Sequence, residues 1–70
     1  MTFESFKELV RALIAKAGGK IKVDFSVDPD KGKYIACADG VIISASSTAL
    51  KLSVRWGYGH QAMIPIAEVA

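Results

Sequence analysis

Hydrophobic residues recur along this chain with two periods, and the change from one to the other separates a helix from a run of strands. Over residues 3–17, FESFKELVRALIAKA, a turn of about 100° per residue puts Phe3, Phe6, Leu9, Val10, Leu13, Ile14 and Ala17 on one arc, with Glu4, Glu8, Arg11 and Ala15 opposite. Thr2 is placed to cap that helix. Glu4 and Glu8 lie toward its positive end, Lys16 lies toward its negative end, and Gly18-Gly19 ends it. From Lys20 onward the period drops to two. Ile21, Val23, Phe25 and Val27 alternate with Lys20, Lys22, Asp24, Ser26 and Asp28, which predicts a half-buried strand. Pro29-Asp30-Lys31-Gly32 then reads as a tight turn.

The stretch KYIACADGVIISA, residues 33–45, reads as two strands hinged at Asp39-Gly40, a pair of residues that favours a two-residue hairpin turn. Such a turn sets Ala38 opposite Val41, Cys37 opposite Ile42, Ala36 opposite Ile43 and Tyr34 opposite Ala45. Tyr34, Ala36, Ala38, Val41, Ile43 and Ala45 then share one face, and Ile35, Cys37 and Ile42 share the other. After the polar connection Ser46-Ser47-Thr48, Leu50, Leu52, Val54 and Trp56 alternate with Lys51, Ser53 and Arg55 and predict a buried stripe along a further strand. Gly57-Tyr58-Gly59 predicts a loop and His60–Ile64 a last strand. Pro65, which has no N–H to give a ladder, makes that strand short and places it at an edge. Ala67-Glu68-Val69-Ala70 is expected to stay loose.

Short connections make sequential strands neighbours. The expectation is one small α+β domain over residues 1–70, with the N-terminal helix packed on one face of an antiparallel four- to five-stranded meander. Ala36, Ala38 and Ala45 leave room for the helix to approach, and Phe3, Phe6, Val10 and Leu13 supply the bulk.

Composition sharpens this picture. Just over half of the 70 residues are hydrophobic (51%), a high share for a chain with so much surface relative to its volume. Cys37 is the one cysteine and His60 the one histidine, so neither an internal disulfide nor a four-ligand zinc site is available as a staple. Good packing or association with another chain must serve instead. The formal charge of +2 is too small to imply nucleic acid or a membrane surface by itself. Charges at Glu4, Glu8 and Arg11 break up any signal peptide, and no uncharged run reaches the roughly 20 residues of a membrane span, so a reducing, cytoplasmic setting is expected.

Two surfaces are candidates for function. The sheet face opposite the helix has an apolar centre at Ile35, Cys37 and Ile42, with Ser44 beside them, inside a rim that includes Lys20, Lys22, Asp24, Lys51 and Arg55. An apolar centre in a polar rim is the pattern of an interaction site, here most simply for a second copy of the chain or another protein. The loop Arg55-Trp56-Gly57-Tyr58-Gly59-His60 gathers the sole Trp and His beside a Tyr and an Arg. Arg55, Tyr58 and His60 are the ligand-binding candidates there, and if Trp56 completes the buried stripe only Tyr58 and His60 are left.

Other chemistries find little support. His60 has no carboxylate or nucleophile near it in sequence, Cys37 lies in an apolar setting that suits an inert thiol, and no metal, phosphate or dinucleotide motif is present. No catalytic, cofactor or metal residues are therefore expected, and the chain is read as a non-catalytic module, most simply a homodimer. The alternative is a nucleic-acid binder using Lys20, Lys22, Lys51, Arg55 and the Trp56–His60 loop. A helix followed by three strands resembles the order in double-stranded RNA-binding domains. Those domains continue into a second helix opened by lysines, whereas His60–Ala70 holds no Lys or Arg and is interrupted by Pro65.

Overall fold

Thr2 and Ser5 start the first helix by capping each other. In the computed structural model, which describes residues 1–19 and 22–69, Thr2 Oγ1 accepts from the Ser5 amide at 3.1 Å while Ser5 Oγ accepts from the Thr2 amide at 2.9 Å. Two amides that the helix itself leaves without partners are satisfied in this way. Helix α1 runs from Phe3 to Lys16. It ends where Gly18 takes a φ of +76°, so that the Gly18 amide reaches the Ala15 carbonyl and the Gly19 amide the Ile14 carbonyl. This is the left-handed closure that glycine makes cheap.

Five strands follow in antiparallel meander order: β1 (Asp24–Asp28), β2 (Lys33–Ala38), β3 (Val41–Ser46), β4 (Lys51–Trp56) and β5 (His60–Pro65). The fold is thus a small α+β arrangement of one N-terminal helix and one open sheet. The predicted chain reversal between β2 and β3 is present. Asp39 and Gly40 both have positive φ, +46° and +79°, as a two-residue turn matched to the twist of the strands requires. The register is accordingly Ala38↔Val41, Cys37↔Ile42, Ala36↔Ile43 and Tyr34↔Ala45. At the β1–β2 turn, Asp28 Oδ1 accepts from the amides of Asp30 and Lys31.

The core lies between α1 and the sheet face that carries Ala36, Ile43, Ala45 and Leu52, which are buried against Phe6 and Val10. Phe6 and Phe3 meet Phe25 edge-on and lie tilted against Tyr34, with ring centroids 5.6–6.5 Å apart. These are favourable aromatic geometries. Among the described residues, three of the eight buried ones are alanines, which leave the helix little side-chain volume to clear above the sheet.

Four expectations need correction. The strand expected from Lys20 pairs only from Asp24; Lys20 and Ile21 lie outside the described residues. Strand β5 includes Pro65 opposite Lys51 and is as long as its neighbours at six residues, because at the sheet's outer edge the missing N–H costs no ladder bond. Residues 66–69 are not loose but form a single turn, α2 (Ile66–Val69), which buries Val69 in the core; Ala70 lies outside the described residues. Lys16 Nζ donates to the carbonyls of Glu68 and Val69 and closes that turn.

The fourth correction concerns the stripe expected along the fourth strand. Leu50 is 84% exposed and Trp56 41% exposed, which leaves Leu52 as the strand's one fully buried residue. Leu50 lies before β4, where its carbonyl accepts from the Ile66 amide, and the β3–β4 ladder ends at Ser44↔Ser53. Trp56 sits at the opposite end of the sheet, paired with His60 beside the closing loop.

Candidate functional site

The antiparallel registers place the outer-face side chains in three rows across the sheet. One row reads Asp24, Cys37, Ile42, Arg55 and Gln61, and the next Ser26, Ile35, Ser44, Ser53 and Met63. The third carries Asp28, Lys33 and Ser46, with Lys51 and Pro65 completing it from β4 and β5. Strand geometry alone puts these residues on one side, because alternate side chains point to opposite faces. Ile35, Cys37, Ile42 and Ser44 therefore form one contiguous block in the middle of the face, as expected.

None of that block belongs to the core packed under α1. Ile42 is 46% exposed and Cys37 is exposed, while Ile35 and Ser44 are half-buried among their own strand neighbours. Met63, 52% exposed, adds a second apolar contact area on β5. An antiparallel sheet with one wet face normally keeps that face polar, so the exposure of Ile42 and Met63 is the departure that marks this surface.

Charge on the same face is uneven, with Lys33 on β2 opposite Asp28. Asp24 and Asp28 lie on β1, and Lys51 and Arg55 lie on β4. Between the basic strand and the middle of the sheet runs a groove of about 350 Å³, lined by Lys33, Lys51, Arg55, Ser44, Ser53 and Gln61, among others, with no acidic side chain in its wall. Reading the sequence singled out Lys51 and Arg55 but missed Lys33, Gln61 and Met63. The parity of the registers that begin at Lys33 and His60 is the signal that finds all three. Lys22 is exposed just before β1, three strands from β4, and Lys20 lies outside the described residues. The four basic residues named from the sequence are therefore not brought into one patch.

The loop between β4 and β5 forms the second surface. Gly57 and Gly59 take φ values of +60° and +95°, which a three-residue connection from Trp56 to His60 needs and other residues adopt only under strain. Trp56 and His60 are stacked, with centroids 5.6 Å apart and planes at 16°. A side chain added at Gly57 would press the His60 ring at 3.0 Å. One face of the imidazole is thus occupied by the indole. Tyr58 projects fully into solvent at the tip. Arg55, Trp56, Gly57, Gly59 and His60 line a recess of about 230 Å³ that also touches Ile42. Arg55 points to the outer face with Ile42, so of the three loop candidates it belongs to the sheet surface, while Tyr58 and His60 stay with the loop.

A wider apolar groove of about 600 Å³ lies between α1 and α2, with Leu9, Ala12, Ala49, Ile66 and Val69 in its wall. Among the described residues no three His, Cys, Asp or Glu side chains gather to hold a metal ion, and no helix is long and apolar enough to cross a membrane. No family model, curated protein or solved structure matches this chain, so its surfaces are read from their geometry.

Proposed function

We propose that this chain is a non-catalytic interaction module that pairs with a second copy of itself through the outer face of its sheet. The observation that carries the reading is Ile42: it is 46% exposed at the centre of a block with Ile35 and Cys37, on a face that no element among the described residues covers. A single helix on a five-stranded sheet is a thin fold. Its accessible surface is 4825 Å², against roughly 4,200 Å² for a typical folded monomer of 7.5 kDa. Pairing through the outer face removes part of that excess and adds stability that depends on concentration. A lone exposed thiol on the face suits a reducing compartment, and the cytoplasm is the simplest one.

The size of the face supports a modest affinity. Strands about 4.8 Å apart and six residues long at about 3.3 Å per residue make a footprint of roughly 24 × 20 Å. Full overlap of two such faces buries on the order of 1,000 Å², the size of a weak, transient interface. Sedimentation equilibrium over a range of concentrations is the test. The mass rises from one chain to two for the wild type, and Ile42→Lys, which leaves the core untouched, holds it at one. A wild-type mass of one chain at every concentration defeats the reading.

The acid-free groove of Lys33, Lys51 and Arg55 favours a second reading, binding of a nucleic-acid backbone along β4. It predicts association with generic RNA or DNA that weakens steeply as salt is raised. An absence of binding at low ionic strength removes it.

A further inference from the structure

We infer that the two copies pair about a two-fold axis that runs along the strands at the seam between β2 and β3, so that Asp24 of each copy faces Arg55 of the other. This rests on the pairing proposed above and specifies its geometry. Sheets that pack face to face in the aligned mode keep their strand directions within about 30° of each other. A two-fold axis lying in such an interface then runs either along the strands or across them. The two choices differ in what the outer strands meet.

An axis across the strands returns every strand to its own copy. It puts β1 over β1 and β4 over β4, which sets Asp24 and Asp28 against the same acids and Lys51 and Arg55 against the same bases. Like charges facing each other across an interface are penalised. An axis along the strands exchanges the two sides of the sheet instead. Centred on the β2–β3 seam, where the apolar block lies, it lays β1 over β4 and β2 over β3 and leaves β5 outside the overlap. Asp24 then meets Arg55, within the row that the ladder registers fix from β1 to β4. In the same arrangement Cys37 meets Ile42, Ser26 meets Ser53, and Lys33 meets Ser46. Ile35 meets Ser44, one apolar pair is made between Cys37 and Ile42, Asp24 faces Arg55, and no like charges coincide.

Asp24 and Arg55 are both exposed and accept substitution without disturbing the core, whereas Asp28 holds its turn through two backbone amides and is left alone. The test compares dimer dissociation constants at low salt for Asp24→Arg, Arg55→Asp and the double variant, with circular dichroism to confirm that each is folded. Each single variant sets like charges face to face twice per dimer and weakens pairing on the order of tenfold or more. The double variant restores the opposition and returns to within about threefold of wild type.

Net charge provides an internal control. The formal charge of +2 becomes 2 + 2 = +4 in Asp24→Arg and 2 − 2 = 0 in Arg55→Asp, so general repulsion between copies changes in opposite directions. Only a local pairing weakens with both. Single variants that leave the constant unchanged, or a double variant as weak as the singles, overturn the axis while Ile42→Lys still reports separately on the face. A wild type that never dimerises overturns both.

Discussion

Ile42 and Ile43 are adjacent residues of one type in one strand, yet Ile43 is 4% exposed and Ile42 46%. The difference is which side of the sheet α1 covers. On the covered side, Phe6 and Val10 fill the space above Ala36 and Ala45, and Ile43 and Leu52 lose their water. On the other side the same alternation delivers Ile35, Ile42 and Met63 to a surface with nothing over it. The chain thus covers one face of its sheet and leaves apolar side chains at the centre of the other. Small size matters here, because a core in which three of the eight buried residues among those described are alanine has little stability in reserve.

The contrast can be broken most directly by truncating the two isoleucines in turn. Ile43→Ala should lower unfolding free energy by about 2–5 kcal/mol in urea denaturation, the cost of a cavity under α1. Ile42→Ala should change the stability of the dilute, monomeric chain by no more than about 1 kcal/mol, since it removes a side chain already half in water. Equal losses would mean that the two faces are equally covered. A smaller effect is expected where α1 begins. Thr2→Ala removes the acceptor that satisfies the Ser5 amide and should cost about 1 kcal/mol, read as a shift in denaturation midpoint. That loss should fall on the covered face alone and leave the tendency to pair unchanged once the chain is folded. Smallest of all is Tyr58→Ala, at a fully exposed loop tip, which should leave stability within about 0.5 kcal/mol. A larger loss there would show that the loop packs against the sheet.

The covered face was legible along the chain because its rules are local. The arc of Phe3, Phe6, Val10 and Leu13 identifies the helix stripe, and the Asp39-Gly40 turn assigns each hairpin residue to a side. The outer block of Ile35, Cys37 and Ile42 follows from that same turn, so it too was readable. What failed was extrapolation beyond the reach of the helix. Leu50 and Trp56 satisfy the alternation that marks a buried strand, but one lies before the ladder and the other at its far end. Val69 shows the reverse: nothing in Ala67–Ala70 signals a docked turn, and Lys16, 53 positions away, is what fastens it.

By itself, the sequence determined the helix, the two-residue reversal and the parity of the hairpin strands on either side of it, because capping, positive-φ turn residues and a period of two act over a few neighbouring positions. Tertiary structure alone decided how far along the sheet the helix provides cover, which alternating residues are therefore wet, and how acids on β1 and bases on β4 come to lie on opposite sides of one face. Those outcomes depend on distances between segments far apart in the chain, and no local periodicity encodes them.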